Sequence, residues 1–349
     1  MPKLTDAQKA NIRQFKDSFC LYYSIKKLLS DLETVFESSE IGGEPLSMLI
    51  TGDTGSGKSS TINHFIKSKI SPQTGRAPIL STRVPSRATA EETTKQMLID
   101  LGVFGSSVSS RKSSDQNLTN RLISAVKDSG IKLIIINEFQ ELVEFKKPKD
   151  QQVISNRLKV ISESTEVPLI FVGMPWSDEI RQDPQWSSRL ATRSHNIEYF
   201  SIIKKPRQFR DFMKALKSHI PIQRSDDMDN MEEDLRIFAA TCGEQRQIKA
   251  LMTEVYRLCL IQEQPISLKI YDEAFRNLYP TANDQPFKGK LEQVNFREIE
   301  MSSGSGPAAK KKKLDGSGRY IRGDSMYPAH IEPAKLSEFY SLSELLSKS

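Results

Sequence analysis

Three cysteines and four histidines in 349 residues leave little from which to build a disulfide framework or a metal centre. Cys20, Cys242 and Cys259 lie far apart, with no C-x-x-C spacing and no histidine beside them. Buried or neutral thiols in a reducing compartment are therefore expected, and a structural metal is not. No stretch approaches the roughly 18 uncharged apolar residues that cross a bilayer. The opening Met1-Pro2-Lys3-Leu4-Thr5-Asp6 carries no secretory signal. The expectation is an intracellular chain with no membrane partner. Charge of one sign is also scarce: the net charge is +6, and residues 310–315 supply half of it. Charge alone is thus a weak argument for a nucleic-acid partner. What the chain does have is length enough for one large or two ordinary domains, each with its own core.

Against those absences stands Gly52-Asp53-Thr54-Gly55-Ser56-Gly57-Lys58-Ser59, which satisfies G-x-x-x-x-G-K-S/T, the Walker A pattern. Leu46-Ser47-Met48-Leu49-Ile50 reads as a strand entering it, and residues 60–67, starting at Ser60, read as the helix leaving it. In that order the glycines let the backbone curl, so that several N–H groups and a helix N-terminus converge on the β- and γ-phosphates of a nucleotide. Lys58 adds a mobile positive charge and Ser59 a hydroxyl for Mg²⁺.

Toward the C-terminus, Ser302-Ser303-Gly304-Ser305-Gly306 and Gly316-Ser317-Gly318 bracket a block of four lysines, Lys310, Lys311, Lys312 and Lys313. Flexible Gly/Ser arms around a short basic block display a signal to a receptor. The block resembles a monopartite nuclear localisation signal of the Myc type. The expectation is an engineered insertion at 302–318 that sends the protein to a eukaryotic nucleus, whatever its native source; it is set aside from fold reasoning.

Along the chain, residues 1–42 carry Phe15, Phe19, Tyr22, Ile25, Leu28, Leu29, Leu32 and Phe36 at helical spacing, which predicts one or two amphipathic helices. In 43–205 apolar runs at 77–84, 131–136, 167–173 and 196–202 read as strands alternating with helices at 89–101, 117–128 and 151–163. The near-continuous apolar run Ile131-Lys132-Leu133-Ile134-Ile135-Ile136 suits a strand buried on both faces of a parallel sheet. The predicted fold is α/β, a three-layer P-loop sandwich with right-handed crossovers. In 206–280 four apolar stripes and no strand signal predict a small all-helical second domain. Residues 281–301 read as an extended linker. In 319–349, Leu336, Phe339, Tyr340, Leu345 and Leu346 predict a short amphipathic helix for docking on a partner.

An ATPase needs a second acidic strand end beside the loop, to manage Mg²⁺ and to activate water. Ile134-Ile135-Ile136-Asn137-Glu138 supplies it, with Glu138 as general base. Asn137 stands where an aspartate usually orients a water on Mg²⁺; an amide keeps the hydrogen bond and loses the charge, which predicts weak metal binding and slow turnover. The strand ending Gly173-Met174-Pro175 offers no polar side chain at Met174 to sense a γ-phosphate. Arg189 and Arg193, just before the last strand, are placed to reach the γ-phosphate of a neighbouring subunit, an effect of about 10³ to 10⁵ in rate where such fingers act fully. Arg246, after Gly243, is placed to touch the same nucleotide in cis.

The strings GDTGSGKSS, VPSRATAEETTKQMLIDLG, LIIINEFQELVE and FVGMPWSDEIRQDPQWSSRL resemble the TnsC/TniB group of AAA+ transposition regulators over residues 45–280, and within it the members of Cascade-guided CRISPR-associated transposons. The resemblance implies an AAA+ fold with a helical lid and a DNA-stimulated ATPase using ATP and Mg²⁺. It implies assembly as rings, with a heptamer favoured, or as filaments around double-stranded DNA. It further implies a bridge from a TniQ-containing target-selection complex to the transposase TnsA/TnsB. In that group the segment between the second and third strands holds DNA. Here it contains Arg83, Arg87, Lys95, Arg111, Lys112, Thr119 and Arg121, which would contact phosphates without reading sequence. Two other readings stay open from the residues: a nucleotide-regulated scaffold that hydrolyses little, and a monomeric P-loop kinase for a small molecule.

Overall fold

In a computed structural model of the chain, residues 3–86, 89–103, 115–143, 148–190, 193–225, 229–300 and 334–348 are described. Arg87, Arg111, Lys112 and the basic insertion at 302–318 lie outside them. The chain opens with α1 (Asp6–Asp17) and α2 (Tyr23–Ile41). Thr5 caps α1 in a reciprocal pair with Gln8, each satisfying a backbone N–H of the other. Then follow β1 (Ser47–Thr51), α3 (Lys58–Ser68), β2 (Ile79–Arg83), α4 (Ala90–Asp100), α5 (Asp115–Asp128), β3 (Leu133–Asn137), α6 (Gln140–Val143), α7 (Pro148–Thr165) and β4 (Leu169–Gly173). A 3₁₀ stretch (Pro175–Gln182) and α8 (Pro184–Leu190) lead to β5 (Ser194–Asn196).

The five strands form one parallel sheet in the order β2-β3-β4-β1-β5. All five residues of β1 and of β4 are buried, the polar Ser47 and Thr51 at the ends of β1 included, as interior strands covered on both faces require. Edge strand β2 alternates half-buried and buried residues over its first four positions. Successive β3 side chains serve opposite faces: Leu133 and Ile135 join one core, Ile134 and Ile136 the other. This is the expected three-layer α/β sandwich.

The run expected to be the last strand, 196–202, is the main departure. Pairing ends at Asn196, apart from the Ile197 N–H given to the Thr51 carbonyl at 2.8 Å. Ile197, Phe200 and Ile202 are nonetheless buried, because the next domain covers them. That domain comprises α9 (Pro206–Lys217), α10 (Asn230–Thr241), α11 (Gln245–Gln262) and α12 (Leu268–Leu278), the four helices read from the apolar stripes. The N-terminal helices do not simply precede the sheet. Phe15 of α1 meets Tyr256 of α11 edge-on at 5.9 Å, and Tyr22 meets Phe212 of α9 at the same distance.

Residues 281–300 are not a free linker. Phe287, Val294 and Phe296 are buried, and the fully buried Arg236 donates to the carbonyls of Pro286 and Gly289 at 2.8 Å each. The Glu298 carboxylate accepts from Ser201 Oγ and from the Ile202 and Ile203 N–H groups, which fastens this segment to the connector between the two domains. The tail returns as β6 (Ile299–Glu300) pairing antiparallel with β7 (Lys335–Leu336), followed by α13 (Leu342–Lys348). The expected tail helix is present and packs on the chain's own lid, with Leu345 buried there.

Candidate nucleotide site

The phosphate loop leaves β1, an interior strand between β4 and β5, and ends at the first turn of α3. Gly55 (φ 82) and Gly57 (φ 104) take left-handed backbone that other residues strongly resist. A side chain on either would also overlap the lid, at Glu244 Oε1 and Gln245 Oε1 respectively. The lid sits directly on the loop, since the Arg246 N–H donates to the Gly55 carbonyl at 3.3 Å. Across the loop, Tyr199 donates its hydroxyl to the Thr54 carbonyl at 2.6 Å.

A cavity of about 450 Å³ opens here, lined by Thr54, Gly55, Gly57, Lys58, Ser59 and Ser60 of the loop and α3. Glu138, Met174, Gln245 and Arg246 face it from the strand ends and the lid. It continues between the domains to Phe19, Cys20 and Lys249. Phe19 stacks on His64 at 3.9 Å, and Lys249 Nζ donates to the Ser18 carbonyl at 2.6 Å. These last residues, and Tyr199, gave no sequence signal beyond apolar spacing, because their contacts arise only when α1, α3 and α11 come together.

Lys58 donates to the carbonyls of Gly52 and Asp53 at 2.6 and 2.9 Å. Burial pushes its pKa down from 10.5 to about 8, against the opposing pull of the Glu138 and Asp53 carboxylates. A desolvated cation over a curled backbone fits a polyphosphate. Ser56 Oγ is buried with no hydrogen-bond partner among the described residues, while Asp53 is fully buried. Ser59 and Ser60 are exposed on the first turn of α3, where Ser59 can offer its hydroxyl to a cation.

Glu138 follows β3 directly and holds φ 58, a left-handed conformation rare for a side-chain-bearing residue and typical of strained functional positions. Asn137 turns its amide toward β2, donating to Ser81 Oγ at 3.0 Å and to the Thr82 carbonyl at 3.1 Å. An aspartate would face that carbonyl with no proton to give, so the asparagine has a local structural reason. Among the described residues no group of three or more His, Cys, Asp or Glu could hold a metal ion. A Mg²⁺ would thus rest on Ser59, on ligand oxygens and on water held near Asn137.

Arg189 and Arg193 do not line this cavity. The Arg189 side chain is only 12% exposed and pairs with Glu44 at 2.8 Å and Glu163 at 2.7 Å, over the Trp186 ring. Arg193 is half-buried beside β5. Of the described DNA candidates, Arg83 is 80% exposed at the end of β2 and lies 3.9 Å from Glu138. Lys95 pairs with Glu91 at 2.6 Å, Arg121 is exposed on α5, and Thr119 is buried.

Comparison with solved structures finds the Aeropyrum pernix ORC1 protein in complex with DNA at 17% identity and TM-score 0.53, covering 74% of this chain and 66% of that one. The Cdc6p protein of Pyrobaculum aerophilum is similar at 12% identity and TM-score 0.54, over 78% of this chain and 71% of that one. The Aeropyrum pernix ORC2 protein in ADPNP-ADP complexes is similar at 11% identity and TM-score 0.57, over 77% and 72%. At these identities the likeness is one of fold, that of AAA+ proteins with a helical lid. No curated protein sequence matches the chain. Residues 11–197, more than half the chain, match the family described as Bacterial TniB protein. With its phosphate loop, its glutamate after β3 and its lid in place, the chain belongs to the TniB family.

Proposed function

We propose that the protein is an ATP-dependent, DNA-associated AAA+ regulator of transposition whose nucleotide state controls its assembly on duplex DNA. The observation that carries this reading is the convergence of Lys58, Glu138 and Arg246 on one cavity, in a chain of the TniB family. The α3 N-terminus, Lys58 and Ser56 bind the phosphates, and Arg246 closes over them from the lid. Glu138 takes a proton from the attacking water as the water oxygen bonds to the γ-phosphorus and the bond to the β–γ bridging oxygen breaks. Bound Mg²⁺ neutralises charge on the phosphate oxygens.

Arg189 serves the neighbouring subunit in a ring, with a heptamer favoured, or in a filament; its cis ion pairs with Glu44 and Glu163 are exchanged on assembly. DNA lies against the segment between β2 and β3, with Arg83 and Arg121 as its described contacts, through phosphates alone. The solved ORC1 complex with DNA, of similar fold, supports a DNA partner. The site then links TniQ-containing target selection, of the Cascade-guided kind, to TnsA/TnsB recruitment. The basic insertion adds nuclear import in a eukaryotic host.

A second reading, a nucleotide-regulated scaffold with little hydrolysis, draws on the amide at Asn137. Steady-state phosphate release with and without duplex DNA separates the two. DNA-stimulated turnover abolished in Glu138→Gln supports the enzyme, and a flat baseline supports the scaffold. Sizing that shows only monomer in Mg²⁺-ATP and DNA would overturn the assembly.

A further inference from the structure

One buried amide joins the proposed general base to the end of β4. Gln140, 6% exposed, donates from Nε2 to Glu138 Oε2 at 2.7 Å, and its Oε1 accepts the Met174 N–H at 3.1 Å. The partners fix which end of the amide is which: a backbone N–H can pair only with the oxygen, and a carboxylate can pair only with the NH₂. The amide therefore always presents a donor to Glu138. Space for it comes from Gly173, where a Cβ would lie 2.8 Å from Gln140 Oε1 and 3.2 Å from Gln140 N. On the far side, the Met174 sulfur lies 3.9 Å from Thr54 Oγ1 of the phosphate loop. A continuous path thus runs from the loop through Met174 and Gln140 to the carboxylate of Glu138.

We propose that Gln140 is a positioning residue for hydrolysis: it holds Oε2 of Glu138, leaves Oε1, with Arg83 Nη2 3.9 Å from it, to receive the proton of the attacking water, and ties that geometry to the phosphate loop through Met174. This rests on the hydrolytic reading above. It also gives the apolar Met174 a part in the site, because its backbone N–H binds Gln140 while its sulfur meets the phosphate loop at Thr54. Gln140 does not line the nucleotide cavity and reaches it only through Glu138 and Met174, so its loss acts on rate and leaves nucleotide affinity alone.

The test is steady-state ATPase with duplex DNA, alongside equilibrium binding of a fluorescent ATP analogue, on the full chain. Gln140→Glu keeps the size and the acceptor for the Met174 N–H but cannot donate to Glu138. It should lower kcat about 10- to 100-fold, the penalty of a misplaced catalytic group, with KM and analogue affinity within about twofold of wild type. Gln140→Ala should fall to a similar rate. Wild-type kcat in Gln140→Glu, or a parallel loss of analogue affinity, overturns the proposal while leaving the hydrolytic reading intact. Absence of turnover in the wild type, or full turnover in Glu138→Gln, overturns both.

Discussion

Replacing Lys58 by methionine keeps much of the apolar stem and removes the charge, so it isolates what the buried ammonium does to the free protein. Burial holds the Lys58 pKa at about 8 in the fold against 10.5 in the open chain. At about 1.4 kcal/mol per unit, the charged form is disfavoured by about 3 kcal/mol in the absence of nucleotide. Methionine leaves the Gly52 and Asp53 carbonyls without their donor, a loss of about 1 to 2 kcal/mol. The net expectation at pH 7 is a stabilisation of about 1 to 2 kcal/mol, a rise in Tm of about 2 to 4 °C. The pH dependence follows from the direction of the shift. Below about pH 8 the lysine is charged in both states and the full penalty applies. Between about 8 and 10.5 the folded lysine is neutral while the unfolded one still holds its proton, so wild-type stability climbs with pH and the advantage of the variant shrinks. Thermal melts at pH 7 and pH 10 read this directly, and the same melts with Mg²⁺-ATP should show a ligand-induced rise in wild type alone. A variant less stable than wild type at pH 7, or a difference that does not change with pH, would refute the argument that this cation is held ready for an anion.

Arg189→Ala should keep nucleotide binding and lower DNA-stimulated turnover at least about tenfold, whereas Glu163→Ala, which removes one of its cis partners, should lower Tm without that loss of rate. Leu345→Asp should release α13 from the lid, because burying a leucine contributes about 1.5 to 3 kcal/mol; amide exchange at Phe296 and Tyr340, which pair backbone to backbone, should accelerate. Burial raises the Cys20 and Cys259 thiols to about 11, so alkylation at pH 8 should run about 100-fold slower than for a free thiol until the protein is unfolded. Iodoacetamide labelling followed by mass spectrometry would show this.

Much of the sheet could be read directly, because Leu133 to Ile136 and Leu169 to Val172 are buried on both faces and their apolar runs say so. The lid helices were equally legible from their stripes. Where the reading failed, tertiary contact had replaced local pattern. Ile197, Phe200 and Ile202 have strand-like spacing but are buried by the lid and the N-terminal helices. Phe287 and Phe296 sit in a polar stretch whose order comes from Arg236 reaching its carbonyls. In the site, motif spacing found the loop, Glu138 and Arg246, since each stands at an element end that a short sequence signal marks. Tyr199 and Phe19 act through partners distant in sequence, and Gln140, though only two residues from Glu138, takes its role from a second bond to Met174, 34 residues away, that the local chain does not announce. Asn137 is an instructive case: by itself it reads as eroded catalysis, and its two bonds to β2 give it a positive structural role.

Fluorescence anisotropy of a labelled duplex tests the central claim most directly, titrated with wild-type protein and with Lys58→Ala, each with and without Mg²⁺-ATP. The account predicts salt-sensitive binding of wild type that is at least about tenfold tighter with ATP, and no ATP effect for Lys58→Ala. Equal affinity with and without ATP, or ATP-tightened binding by Lys58→Ala, would contradict it.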